Sequence, residues 1–281
     1  MTSVSSTAPT LTIGTASGAL VYRRFGNAAG VAPLLLVQRF RGTMDHWDPL
    51  LLDLLAEHRE VVLFDNVGVG RSHGAPAQSI GEQARGTIDL LDALGVEQAD
   101  VLGWSMGGAV AQVLALDFSQ RVRRVVIAGS GPGGVSDTPA PPEKVWTVAS
   151  KPVNDDADFL YLFFHDTESS QNAGQRHLAR LRTRMEPFSP PVAMQTVAAQ
   201  AGAIRAWGAG IGNALPRLGQ LQQPVLVANG QFDRMVHAYN SYVMAQRLPS
   251  AKLVLYPDAG HAFLFQHAQA FAADVLAFLA S

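Results

Sequence analysis

The 281-residue chain contains no cysteine and few charged residues, only 16% of the total. Without cysteine it forms no disulfide, no thiolate nucleophile and no cysteine-ligated metal site, and nothing in it requires an oxidising compartment. Its 21 basic and 23 acidic residues give a net charge of −2, without the basic excess that favours nucleic acid or an anionic membrane surface. No apolar run reaches membrane-spanning length, and the N-terminus lacks the pattern of a secretion signal. We therefore expect a cytoplasmic protein that binds neither nucleic acid nor membrane.

Metal and nucleotide sites also lack support in the sequence. The eight histidines show no paired spacing such as His-x-x-x-His on one helix. Gly129, Gly131 and Gly134 match the spacing of a dinucleotide-binding loop, but Pro132 and the proline-rich run after it prevent the helix that would hold a pyrophosphate. We expect a small-molecule substrate, no metal and no cofactor, and the sequence leaves the oligomeric state open.

Hydrophobic residues make up 48% of the chain, enough for one large core. Apolar, β-prone runs alternate with longer helical patterns, which predicts an α/β fold with a mostly parallel central sheet and helices on both faces. The predicted strands are 11–14, 20–25, 34–38, 60–65, 100–104, 122–128, 224–229 and 252–256, and the predicted helices include 82–94, 107–118 and 263–279.

The strand pattern breaks after Gly129 for about ninety residues, much longer than the loops usual in such folds. Residues 137–217 are predicted to form a helical cap inserted between two parts of the core, residues 1–136 and 218–281. Ligand pockets form where strand ends meet a covering element. The substrate site is therefore expected at the seam between cap and core.

The segment VLGWSMGG, residues 101–108, places Ser105 between Gly103 and Gly107, after a predicted strand and before a predicted helix. A serine on a sharp strand-to-helix turn crowds the positions two residues either side, so both must lack a bulky side chain. The turn exposes the hydroxyl and leaves the Met106 backbone N–H free to stabilise an oxyanion. Ser105 is thus the predicted nucleophile; the alternative is a serine that only caps the helix.

A serine is inert at neutral pH unless a histidine takes its proton and a carboxylate orients that histidine. Asp233 and His261 each follow a predicted strand by a short loop. The order Ser105, Asp233, His261 is that of a nucleophile-elbow fold. Asp137, farther from a strand end, is the second candidate for the acid.

Together these motifs resemble the α/β-hydrolase superfamily over nearly the whole chain. The run DNVGVGRS, residues 65–72, resembles the turn that many members carry after the fourth strand, and PDAGHAF, residues 257–263, is similarly characteristic. The resemblance implies that Ser105 is the nucleophile, that His261 is the general base and then the general acid, and that Asp233 orients His261.

The chain departs from the family after the third strand, where members usually have His-Gly and this sequence has Gln38-Arg39. By position, the resemblance assigns the second oxyanion donor to the Phe40 backbone N–H. Arg39 and Arg41 either meet a substrate carboxylate or pair with an aspartate at position 45, 48 or 65. We expect the pairing, since charged loop residues are mostly structural or solvated.

The predicted activity is hydrolysis of a small, largely uncharged ester, thioester or lactone through an acyl-enzyme. The glycine-rich elbow, Trp104 beside the nucleophile and the apolar cap favour such a substrate. One alternative uses the same triad for perhydrolysis, haloperoxidase-like chemistry or carbon–carbon bond hydrolysis. In the other, the altered loop at Gln38-Arg39 has spoiled the oxyanion hole and the fold only binds a ligand.

Overall fold

An eight-stranded sheet forms the centre of the molecule. The computed structural model describes residues 3–27, 30–184 and 187–281. The strands are β1 (Leu11–Thr15), β2 (Gly18–Gly26), β3 (Leu34–Val37), β4 (Glu60–Asp65), β5 (Ala99–Trp104), β6 (Val122–Ala128), β7 (Val225–Gly230) and β8 (Ala251–Tyr256). They lie in the order β1-β2-β4-β3-β5-β6-β7-β8. All neighbours are parallel except β1 with β2 and β2 with β4, so the fold class predicted from the sequence is confirmed.

Helices connect these strands and cover the sheet. The helices are α1 (Val4–Thr7), α2 (Pro49–Ala56), α3 (Ile80–Ala93), α4 (Met106–Asp117), α5 (Glu143–Ala149), α6 (Asp156–Phe163), α7 (Glu168–Leu181), α8 (Met194–Gly208), α9 (Tyr239–Arg247), α10 (Phe263–Gln266) and α11 (Ala268–Ala280). Short 3₁₀ turns lie at Met44–His46, Ser119–Arg121 and Leu215–Gln220. The four helices α5 to α8 lie between β6 and β7, in the region where the sequence predicts a cap.

Successive residues of the central strands feed two separate cores, as the period-2 geometry of a strand requires. In β3, Leu34 and Leu36 pack with residues of α2 and α11 on one face. Leu35 and Val37 pack with residues of α3 and α4 on the other. Every residue of β3 is buried. This double burial explains why the central strands read as continuous apolar runs.

The prediction of one continuous helix over 263–279 is wrong. The structure has two helices, α10 and α11, which meet at His267 with φ −109° and ψ 41°. The His267 Nε2 atom lies 2.9 Å from the Pro257 carbonyl oxygen, which ties the break to the preceding loop. The apolar pattern continues across the break, so it gave no sign of it.

The parallel direction of β3, β5, β6, β7 and β8 brings their carboxyl ends to one edge of the sheet. The loops after these strands carry Phe40, Ser105, Gly129, Asp233 and His261. Residues distant in sequence thereby meet at one site. Within the described part of the chain, no helix is both long and apolar enough to cross a membrane.

Candidate active site

Ser105 occupies a strained turn between β5 and α4. Its backbone has φ 58° and ψ −119°, a conformation that residues with a side chain rarely adopt. The Ser105 N–H donates to the Ala128 carbonyl at 2.8 Å, which ties the turn to β6. The Gly108 N–H donates to the Ser105 carbonyl at 2.9 Å. The surrounding backbone therefore holds the serine in its unusual conformation.

The two elbow glycines are required by close backbone contacts. A Cβ atom at Gly103 would overlap the Gly107 carbonyl oxygen, and a Cβ atom at Gly107 would overlap the Val37 carbonyl oxygen. Both obstacles are backbone atoms, which cannot rotate away. The steric demand inferred from the sequence thus has a specific physical cause at each position.

His261 and Asp233 form a buried hydrogen-bonded pair. The His261 Nδ1 atom lies 2.6 Å from Asp233 Oδ2, and the two residues are 0% and 2% exposed. The other carboxylate oxygen accepts the N–H groups of Met235 at 2.8 Å and Val236 at 2.9 Å. The carboxylate is therefore fixed at both oxygens and places the imidazole proton on Nδ1. His261 Nε2 is buried and makes no hydrogen bond with any described residue.

Neighbouring residues fix the imidazole from several sides. The Trp104 Nε1–H donates to the His261 carbonyl at 3.1 Å, and the Phe163 and His261 ring centres are 5.6 Å apart. Gly129, at the end of β6, has φ 56°, and a Cβ atom there would lie 3.3 Å from the imidazole. Gly129 thus leaves room for the pair, a role unrelated to its dinucleotide-like spacing.

Ser105 and His261 line one cavity of about 520 Å³. The loop after β3 forms part of its wall, and helices α6 and α7 contribute apolar side chains, namely Phe159, Leu162, Phe163, Leu178 and Leu181. A second cavity of about 200 Å³ reaches Ser105 from the other side, between Met106, Gly131 and Trp207. The nucleophile candidate therefore lies where two cavities meet.

Two backbone N–H groups at the cavities around Ser105, those of Met106 and Phe40, have no acceptor among the described residues. Met106 is the first residue of α4, where N–H groups lack an intrahelical partner. In the loop after β3, the N–H groups of Arg39, Arg41 and Gly42 all donate to protein oxygens, whereas that of Phe40 donates to none in the described chain. Phe40 also lines the larger cavity.

Gln38 stabilises this loop in place of the usual His-Gly. Its Nε2 donates to the Thr43 carbonyl at 2.9 Å, and its Oε1 accepts the Arg39 N–H at 2.8 Å. Arg41 has φ 56°, so the sharp turn is made one residue after Phe40. The altered sequence therefore still forms an ordered loop.

The expected pairing of Arg39 and Arg41 with nearby aspartates is wrong. The aspartates have other partners: Asp45 pairs with Arg23, Asp48 with His177 and Arg180, and Asp65 accepts backbone N–H groups from Met44 and Arg71. Arg41 instead donates to the carbonyl groups of Ala149, the last residue of α5, and of Lys151 and Pro152, which follow it. These partners are remote in sequence, so spacing alone could not reveal them.

Asp137, the second candidate for the acid, is exposed, and its carboxylate bonds the neighbouring Ser136 hydroxyl at 3.2 Å. The structure places Asp233, not Asp137, against His261. His46, to which the sequence assigned no specific role, lines the larger cavity. No group of three potential metal ligands occurs within residues 3–27, 30–184 and 187–281.

A family model described as alpha/beta hydrolase fold matches residues 32–268. The chain belongs to the α/β-hydrolase family. The 2-hydroxymuconate semialdehyde hydrolase of Pseudomonas putida is 33% identical to this α/β-hydrolase over 238 residues, which cover 80% of this chain and 78% of the relative. The poly(3-hydroxyalkanoate) depolymerase of Ectopseudomonas oleovorans is 29% identical over 265 residues, 89% of this chain and 84% of the relative.

Among solved structures, an alpha/beta hydrolase fold protein from Chitinophaga pinensis matches this α/β-hydrolase with a TM-score of 0.89. The two are 33% identical, and the match covers 99% of each chain. These likenesses confirm the family and the fold that the motifs predict.

Proposed function

We propose that this α/β-hydrolase cleaves its substrate through an acyl-enzyme on Ser105. The observation that carries this proposal is the His261 imidazole. Asp233 holds its Nδ1, and its Nε2 is unpartnered in the wall of the cavity that contains Ser105. This tautomer is the one that accepts a proton from a serine hydroxyl.

In the proposed reaction, Ser105 attacks a carbonyl carbon while His261 Nε2 takes the hydroxyl proton. Asp233 stabilises the imidazolium that forms. The N–H groups of Met106 and Phe40 donate to the oxyanion, since neither has another acceptor among the described residues. His261 then protonates the leaving group, and water releases the acyl group by the same steps in reverse.

The cap assigned to residues 137–217 forms part of this proposal. Helices α6 and α7 supply the apolar side of the larger cavity. A small-molecule substrate would lie between these helices and the strand-end loops. Because two cavities meet at Ser105, the acyl part and the leaving group of an ester, thioester or lactone each have a place to bind.

Hydrolysis of a carbon–carbon bond is the second candidate. It is favoured by the relative at 33% identity, which is named a 2-hydroxymuconate semialdehyde hydrolase. The same serine, imidazole and oxyanion donors suit attack on a ketone carbonyl, with a carbon leaving group in place of an oxygen or sulfur. A non-catalytic role is disfavoured because the Phe40 N–H has no acceptor in the described protein, as an oxyanion donor requires.

A substrate panel on wild type and variants tests the proposal. Esters, thioesters and lactones of graded acyl length would be compared with 2-hydroxymuconate semialdehyde. We expect Ser105→Ala to lower kcat by about 10⁶-fold and Asp233→Asn by about 10⁴-fold. Ser136→Ala, at an exposed serine, is the matched control and should retain wild-type activity. Equal turnover by wild type and Ser105→Ala would contradict the proposal.

A further inference from the structure

A buried cation that has no carboxylate partner among the described residues forms part of the wall of the larger cavity. Arg39 follows β3 directly and is 8% exposed. Its guanidinium carbon lies 4.7 Å from the Phe163 ring centre and 5.5 Å from that of Trp104. Ser105 and His261 line the same cavity. The Arg39 guanidinium therefore lies at the same cavity as Ser105, the proposed nucleophile.

Within residues 3–27, 30–184 and 187–281, no side chain neutralises this charge. Arg39 Nη1 donates to the Phe40 carbonyl at 2.8 Å. Its Nε is buried and donates to no described residue, and no acidic side chain in the described ranges forms an ion pair with it. Burial, and then the neighbouring Arg41, lower the Arg39 pKa to about 9, so the guanidinium stays charged at neutral pH.

A buried charge without an ionic partner is destabilising, and contact with aromatic rings offsets only part of that cost. Nearby Asp45, Asp48 and Asp65 are each occupied by other groups. Among the described residues, Arg39 therefore has no anionic acceptor. A ligand bound in the cavity could supply one.

His46 adds a neutral donor to the same wall. Its Nδ1 accepts the Thr43 N–H at 3.0 Å, which places the ring proton on Nε2. Burial and the charge of Arg39 lower the His46 pKa to about 3. The ring therefore remains uncharged and does not compete with an anion for Arg39.

We propose that Arg39 binds a carboxylate of the substrate, remote from the carbonyl that Ser105 attacks, and that His46 Nε2–H is a second donor to it. This inference rests on the proposed function of Ser105. The sequence alone favours a largely uncharged substrate, whereas this inference favours a substrate that carries a single acidic group. The competing explanation is that Arg39 only supports the loop through its contacts with aromatic rings.

The test compares substrates that differ only in charge. The p-nitrophenyl half-esters of adipic, pimelic and suberic acids would each be assayed against the analogue whose free acid is methylated. We expect wild type to favour at least one free acid over its methylated analogue in kcat/KM. Arg39→Gln should lower that acid-to-methyl-ester ratio about 10- to 100-fold, mainly through KM for the acid.

Two further variants separate charge recognition from loop support. Arg39→Lys retains the cation and should keep part of the preference, although it loses the forked geometry. Arg217→Gln is the control, because the Arg217 side chain is partly exposed, is paired with Asp117 and lines neither of the two cavities. Its ratio should match wild type. An equal loss in Arg39→Lys and Arg39→Gln, or no preference in wild type at any chain length, would overturn the inference.

A binding measurement distinguishes this failure from failure of the proposed function. Adipic acid monomethyl ester would be titrated into Ser105→Ala and into Ser105→Ala/Arg39→Gln by calorimetry. Weaker binding by about tenfold or more in the double variant supports carboxylate recognition even if no ester is hydrolysed. Equal affinities would count against Arg39 whatever the catalytic result.

Discussion

At the scale of single residues, the elbow depends on the absence of side chains at two positions. Gly107→Ala would force a Cβ atom into the Val37 carbonyl oxygen. We expect a loss of about 1 to 3 kcal/mol in the free energy of unfolding, measured by urea denaturation, and a loss of hydrolase activity.

Gly202→Ala is the control for this change. Gly202 lies within α8, and a Cβ atom there would have no atom within 4 Å. We expect a stability gain of up to about 1 kcal/mol from helix propensity. Equal effects of the two alanines would show that the contact at Gly107 is unimportant.

The protonation of His46 gives a prediction with a defined sign. Its pKa is lowered from 6.5 to about 3 in the folded chain. Between about pH 6.5 and pH 3, His46 is therefore protonated in the unfolded chain but neutral in the folded chain. The free energy of unfolding is highest above about pH 6.5 and decreases as the pH falls through this range. The loss from this group is up to about 1.4 kcal/mol per pH unit.

His46→Gln removes that contribution. The free energy of unfolding, measured by urea denaturation from about pH 7 down to about pH 4.5, should decline less steeply in the variant than in wild type. Other titrating groups are common to both proteins and cancel in the comparison. Parallel curves would mean that His46 is not kept neutral by the fold.

At the scale of elements, Asp48 links α2 to α7. It is fully buried, caps α2 through the Leu50 N–H at 2.9 Å, and binds both His177 and Arg180 of α7. Asp48→Asn should destabilise the protein by about 2 to 3 kcal/mol, because it leaves the partly buried Arg180 guanidinium without its carboxylate and weakens the bond to the buried His177 ring.

Asp156→Asn is the matched change on the surface. The ion pair between Asp156 and Arg182 is exposed, so the free energy of unfolding, measured by chemical denaturation, should fall by less than about 1 kcal/mol. If Asp48→Asn cost no more than this control, the link between α2 and α7 would not be a stabilising element.

Most of the secondary-structure elements could be predicted from the sequence, but contacts between distant segments could not. The strands from Leu34–Val37 to Ala251–Tyr256 lie within a residue or so of their predicted positions. In β3, β5 and β7 this is because burial on both faces leaves nearly continuous apolar runs. The break at His267 is not visible in the sequence, because the apolar pattern continues across it. The partners of Arg41 escape sequence reasoning for a different reason, since they lie more than a hundred residues away.

At the scale of the whole molecule, the site is assembled from loops that share one edge of the sheet. Ser105, Asp233 and His261 were identified from the sequence because each follows a strand in a known order. The structure places Asp233 against His261 and both Ser105 and His261 at one cavity. The sequence did not indicate that Arg39 lacks an acidic partner in the described part of the chain, because such an absence can be seen only in the three-dimensional structure.

The measurement that tests the central claim most directly is intact-mass analysis after incubation with a fluorophosphonate probe. We expect a single stoichiometric adduct on wild type and none on Ser105→Ala or His261→Ala, because an activated serine needs both residues. Circular dichroism would establish that each variant is folded. A folded wild-type chain that remained unlabelled, or a Ser105→Ala variant labelled as fully as wild type, would contradict the claim that Ser105 is the nucleophile.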